Sequence, residues 1–142
     1  MSEKQAGHAG GCHCGAVRYE ISGEPQLVAR CHCRQCQKAS GAGHVMHLGV
    51  GRDQLRVEGQ TSTHQYIADS GAPVQKHFCP SCGTNMFGEP EGMPGFMTVA
   101  AATLDDSSMY EAQVIIFTQS QQPWDREMPG LASFEGLPPR SG

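Results

Sequence analysis

The sequence predicts a mainly β fold, a single domain of antiparallel sheets. Three observations carry that expectation. Short apolar runs alternate with polar residues and are bounded by Gly, Pro, Ser or Asp, the period-two signature of half-buried strands. Helical periodicity is sustained nowhere over ten residues, beyond a single turn after Cys33. With 18 glycines and 9 prolines in 142 residues, turns are frequent, and strands at such spacing favour antiparallel sheets over βαβ units. A chain of this length forms one domain and buries about two thirds of its unfolded surface.

The strands follow in order. Residues 16–21 place Val17, Tyr19 and Ile21 on one face. Residues 26–31, 44–50, 63–68, 74–79, 96–101 and 113–118 complete the set, each between turn-forming residues. Residues 1–9 are polar and read as a flexible tail, the domain spans 10–139, and Leu137-Pro138-Pro139-Arg140-Ser141-Gly142 reads as an extended end. No linker, repeat or charge block divides it.

Composition excludes several classes. A formal charge of −4 and a pI of about 5.9 argue against nucleic acid, whose phosphates call for a basic face. No apolar run approaches the roughly 18 residues of a membrane span, so no membrane is expected as partner. The first ten residues lack the hydrophobic stretch of a secretory signal. The expected location is therefore the reducing cytoplasm, where clustered cysteines bind metal more often than they pair.

Those cysteines form Cys12-x-Cys14, Cys31-x-Cys33-x-x-Cys36 and Cys79-Pro80-Ser81-Cys82-Gly83. The last is a zinc-knuckle turn: two thiolates grip one ion, and the following glycine lets backbone amides turn toward sulfur. A knuckle supplies two ligands where a closed tetrahedral site needs four. The economical partition puts Cys12, Cys14, Cys79 and Cys82 on one Zn²⁺ and Cys31, Cys33 and Cys36 on another. The first site would be structural, stapling the sheets and contributing about 10–16 kcal/mol. The second would keep an open position for a thiol and would lose its ion more readily. Three other arrangements stay open: disulfides with one cysteine left over, one zinc with buried free thiols, and a completed second site using His32 or His44.

The remaining polar residues are less specific. His13 and His32 sit inside cysteine clusters, but the middle side chain of an extended Cys-His-Cys points away from its neighbours. His44 and His47 lie three apart and face opposite sides of a strand; a catalytic base is one reading and a surface position the other. His77 precedes the knuckle and reads as packed or solvated. Arg30, Arg34 and Lys38 crowd the middle cluster; attraction of an anionic thiol is one reading, and scattered positive charge on a solvated loop is the commoner one. No acid/base residue is identified.

Three segments occur in order: Gly10-Gly11-Cys12-His13-Cys14-Gly15-Ala16-Val17-Arg18-Tyr19, then Cys31-His32-Cys33-Arg34-Gln35-Cys36-Gln37-Lys38-Ala39-Ser40-Gly41, then Phe78-Cys79-Pro80-Ser81-Cys82-Gly83-Thr84. Together they resemble the glutathione-dependent formaldehyde-activating enzyme family, which includes the centromere protein V-type zinc domain. The similarity continues weakly through Thr103-Leu104-Asp105-Asp106 and Trp124-Asp125. The resemblance implies a β-tent fold and a carbon–sulfur lyase activity, the reversible condensation of glutathione with formaldehyde to S-hydroxymethylglutathione. By position, it gives Cys12, Cys14, Cys79 and Cys82 as structural-zinc ligands and Cys31, Cys33 and Cys36 as catalytic-zinc ligands. Ile115 and Gln121 stand where family members often carry His and Lys. The alternative to a lyase acting on glutathione or a related thiol is a non-catalytic zinc module that binds a protein. A thiol-based carrier or redox buffer is a third reading.

Overall fold

The computed structural model describes residues 8–140 and builds two sheets. Strands β1 (His8–Gly11), β2 (Arg18–Ile21) and β5 (Leu55–Glu58) form a three-stranded antiparallel sheet in the order β1-β2-β5. The larger sheet uses β3 (Leu27–Cys31), β4 (Val45–Gly51), β6 (Ser62–Ile67), β7 (Pro73–Phe78), β8 (Asn85–Pro90), β9 (Phe96–Ala100) and β10 (Val114–Ile116). Its order is β10-β3-β4-β9-β8-β7-β6. The fold is mainly β, as expected, with one α-helix, α1 (Arg34–Ser40).

The core lies between the sheets. From the small sheet and its turn come Val17, Tyr19 and Ile21; from one face of the large sheet come Val28, Leu48, Val50, Phe87, Met97 and Val99. Tyr19 meets Phe87 edge to face at 5.2 Å, the arrangement favoured by ring quadrupoles. The alternation in β2 is visible in its burial, Tyr19 and Ile21 inside, Arg18 and Glu20 outside. At Gly10, which bridges to Leu104, the small sheet comes against the segment that follows β9. A Cβ there would stand 2.4 Å from the Thr103 carbonyl oxygen and 2.5 Å from the Tyr19 hydroxyl.

Four expectations differ. The N-terminal tail falls mostly on residues 1–7, outside the described residues; His8 and Ala9, also assigned to it, pair with Ile21 and Glu20. Strands β5 and β8 were not expected. Three of the four β5 residues are exposed, so its polar composition hides a strand recruited by pairing with β2. In β8, Gly88 and Pro90 read locally as turn residues, yet both neighbouring strands bond to it. Finally, β10 runs parallel to β3, so the large sheet is mixed rather than antiparallel. It is also shorter than residues 113–118, because Phe117 turns into the left-handed region at φ 57°.

Leu48 is fully buried whereas Ile115 on the edge strand is 52 % exposed. Leu48→Ala is expected to cost about 2–5 kcal/mol and Ile115→Thr within about 0.5 kcal/mol. Urea unfolding of the two variants checks both values.

Candidate metal centres

Two turns, one from each sheet, bring four sulfurs together. Between β1 and β2, Cys12 N–H bonds the Val17 carbonyl at 3.0 Å, and Gly15 follows Cys14 at φ 84°. Between β7 and β8, Cys79 N–H bonds the Thr84 carbonyl at 3.0 Å, Gly83 N–H bonds the Cys79 carbonyl at 2.8 Å, and Gly83 has φ 81°. Such turns aim amides at sulfur. Val17 N–H points to Cys12 Sγ at 3.3 Å, while Ser81 and Cys82 N–H point to Cys79 Sγ at 3.3 and 3.5 Å.

The sulfurs of Cys12, Cys14, Cys79 and Cys82 all lie within 4.8 Å of one another. The Cys12–Cys14 separation is 3.6 Å and Cys14–Cys79 is 3.8 Å. A tetrahedron of thiolates about 2.3 Å from zinc has edges of about 3.8 Å, so the donor set fits that ion. Thr84 ties the turns together: its hydroxyl accepts from His13 N–H at 3.1 Å and lies 3.2 Å from Cys82 Sγ. That hydroxyl holds the Cys82 thiol down to about 5, toward the thiolate that metal binding requires. The His13 side chain is exposed.

The second set arises differently. Cys31 ends β3, Cys33 caps α1, and Cys36 lies in its first turn. The cap is the sulfur itself, accepting Cys36 N–H at 3.3 Å. The expected single turn after Cys33 is thus a seven-residue helix, closed by Gly41 in the left-handed conformation. All three sulfurs lie within 4.8 Å of one another and all three residues are buried. Hydrogen bonds from Cys31 and Cys36 drive the Cys33 thiol far down, and its two neighbours are pushed up in turn. Three sulfurs sharing negative charge in a buried site suit a soft cation. Phe117 packs on this cluster with Val45 and is the one non-glycine at positive φ among the described residues, a strain that concentrates at functional sites.

All seven cysteines are free, which removes the disulfide arrangement. His32 and His44 do not complete the three-sulfur set. Together with Asp125 they form a separate group on the far side of β3 and β4. Arg30 Nε donates to His32 Nε2 at 3.3 Å. An arginine only donates, so the His32 proton sits on Nδ1 and faces Asp125 Oδ2 at 3.3 Å. His44 Nδ1 bonds the same oxygen at 2.7 Å and holds the Asp125 carboxyl below its usual range. These contacts brace His44 on Asp125 and set the His32 ring, which is 0 % exposed, beside that carboxylate with its Nδ1 outside hydrogen-bond geometry. The histidine beside the three sulfurs is instead His47, with Nε2 3.4 Å from Cys36 Sγ. Burial, aided by the Lys76 charge, lowers its pKa to about 4, so the ring is neutral.

Sequence reasoning missed Asp125, 81 residues from His44, and the placement of His47. It also missed Lys76, which lies on the same face of the sheet as Cys31. Of the three basic residues near the middle cluster, Arg30 bonds His32 and Arg34 bonds Gln37. His77 bonds Thr61 and Glu89 at 3.1 and 2.6 Å.

A Cβ on Gly43 would stand 2.4 Å from Asp125 Oδ2. Gly43→Ala is therefore expected to cost about 1–3 kcal/mol, and less in an Asp125→Ala background. Equal costs in both backgrounds, read by thermal and urea denaturation, would show that the brace is not formed.

The profile of the family described as glutathione-dependent formaldehyde-activating enzyme matches residues 7–120. A Halomonas elongata protein named "Putative glutathione-dependent formaldehyde-activating enzyme" is 31% identical over 121 residues, covering 81% of this chain and 77% of the relative. A crystal structure of a Rhodobacter sphaeroides protein shares the fold, with a TM-score of 0.57 and 22% identity over 75% of this chain and 98% of that one. With the profile spanning most of the chain, including every cysteine, the protein belongs to the glutathione-dependent formaldehyde-activating enzyme family.

Proposed function

We propose that this chain is a zinc-dependent carbon–sulfur lyase that reversibly adds a thiol, glutathione or a close relative, to formaldehyde or a related aldehyde. The observation that carries the reading is the inequality of the two sulfur sets. Four cysteines make a saturated structural site; Cys31, Cys33 and Cys36 make a set of three, leaving one tetrahedral position for a substrate thiol. Family membership supports glutathione and formaldehyde as reactants.

Zinc held by the three sulfurs would supply the positive charge that keeps an incoming thiol as thiolate. Three thiolates leave the metal a weak Lewis acid, so capture and positioning of the thiol take precedence over polarising the carbonyl. The balance is simple. A sulfur–carbon bond forms, the carbonyl π bond breaks, and the thiol proton ends on the new hydroxyl oxygen. This addition has a low intrinsic barrier, and proximity supplies much of what remains.

The chain's residues position the reactants. With Cys36 held by zinc as a thiolate, which only accepts, the neutral His47 ring would donate to it from Nε2 and so steady one wall of the site. Along the same face stand Ala29, Gly49, Gly88 and Ala100, with Phe96 packed over Gly49 and Thr98 beside Gly88. Phe117 and Val45 close the other side against water.

A non-catalytic zinc module is favoured by one observation, the exposure of Trp124, Leu131, Phe134 and Leu137 in the C-terminal segment, which would suit a protein partner.

Exchange spectroscopy of glutathione with formaldehyde separates these readings. The wild type is expected to accelerate adduct exchange and Cys33→Ser to lower that acceleration by about 100-fold or more while remaining folded. Cys79→Ser is expected to lose the cooperative fold. Full activity in Cys33→Ser, or no acceleration by the zinc-loaded wild type, would overturn the enzymatic reading.

A further inference from the structure

Two cavities of about 690 and 760 Å³ open on the large sheet and share a wall formed by Ala39, Lys76, Gly83 and Asn85. Lys76 lines both and is only 6% exposed. Among the described residues no carboxylate or carbonyl pairs with its ammonium. A buried cation without a partner is costly, and burial pushes its pKa down while the thiols of Cys36, Cys33 and Cys31 push it back. No aspartate or glutamate lines either cavity, whereas Lys38, Gln35 and Tyr66 join Lys76 around the larger one. A protein with a net charge of −4 has here a cavity wall whose formal charge is wholly positive.

The sheet register places Lys76 on the face that carries Cys31, and α1, which holds Cys36, supplies Gln35, Lys38 and Ala39 to the cavity that Lys76 lines. Lys76 pairs with Gly88, Gly88 with Thr98, Thr98 with Gly49, and Gly49 with Leu27. Paired residues share a face, and Cys31 lies four residues along β3 from Leu27 on that same face. Gly88 matters to this placement, because a Cβ there would come within 2.6 Å of the Thr98 hydroxyl and 3.8 Å of Lys76 Cδ. Lys76 thus passes a position where its neighbouring strand carries no side chain, and lines both cavities.

We infer that Lys76, with Lys38 beside it, binds a carboxylate of the substrate thiol and makes the site selective for anionic thiols over neutral ones. The inference rests on the thiol-addition reading for the identity of the ligand, and on the cavity alone for its charge. Lys76 is assigned binding and specificity, not a part in the bond-making step.

The test is calorimetric titration of zinc-loaded wild type, Lys76→Met and Lys76→Arg with S-methylglutathione, which keeps the carboxylates and blocks the sulfur, and with its dimethyl ester. Lys76→Met is expected to weaken binding of the acid by about 10- to 100-fold and to remove the preference for acid over ester. Lys76→Arg should restore most of both. Because Lys76→Met removes a buried unpaired charge, it should melt no lower than the wild type.

Equal affinity of wild type and Lys76→Met for the acid would overturn the inference, as would no measurable binding to the wild type. Loss of zinc and a lower melting point in Lys76→Met would assign the ammonium to balancing the thiolates instead. Lys76-dependent binding without adduct exchange would refute the lyase and leave the anion site standing. Adduct exchange with Lys76-independent binding would refute the anion site alone.

Discussion

The two sheets of this protein are joined where the turn carrying Cys12 and Cys14 meets the turn carrying Cys79 and Cys82, 65 residues apart for the Cys14–Cys79 contact. Cys12 and Cys79 belong to the same buried cluster as Tyr19, Leu48 and Phe87. The sulfurs are thus the polar end of the core rather than an attachment on its surface. A cation at their centre would convert four mutually repelling thiolates into an attractive contact, with a free energy comparable to the net stability of a domain. A small sheet of only three strands gains its fixed place on its neighbour through that contact, through the close approach at Gly10, and through the Arg18–Asp105 ion pair. The last is half-exposed and adds little.

The division of labour between the faces of the large sheet follows. One face is filled by Val28, Leu48, Val99 and Phe87 and covered by the small sheet. The other carries Cys31, His47 and Lys76 over glycine and alanine positions. Because strand side chains alternate, the same β3 and β4 segments contribute to both. Ala29 and His47 look outward where Val28 and Leu48 look inward. Rigidity on the packed side holds the outward residues in register, which is what a site built from several strands needs. His32, fully buried and bonded by Arg30, extends that rigidity to the loop holding Cys31 and Cys33.

Much of this was legible in the sequence, and the reasons are local. Cysteine spacing, the glycines after Cys14 and Cys82, and the alternation of Val17, Tyr19 and Ile21 are short-range signals, and the structure builds knuckles and strands on them. The grouping of the cysteines into four and three was also readable, because ligand count limits the ways of sharing sulfur. What escaped depends on pairing between distant segments. Strand β8 contains Gly88 and Pro90, and only its neighbours make it a strand. The parallel docking of β10, the approach of Asp125 to His44, and the alignment of Lys76 with the sulfur-bearing face are all set by register across the sheet, for which a single sequence holds no direct signal.

The claim on which the account turns is that the two sulfur sites are unequally filled. Zinc-edge X-ray absorption on the purified protein, combined with a metal count per chain, tests it most directly. The account predicts two zinc ions per chain with a mean sulfur coordination between three and four, and a single all-sulfur zinc after Cys33→Ser. One zinc per chain in the wild type, or four sulfurs around both ions, would contradict it.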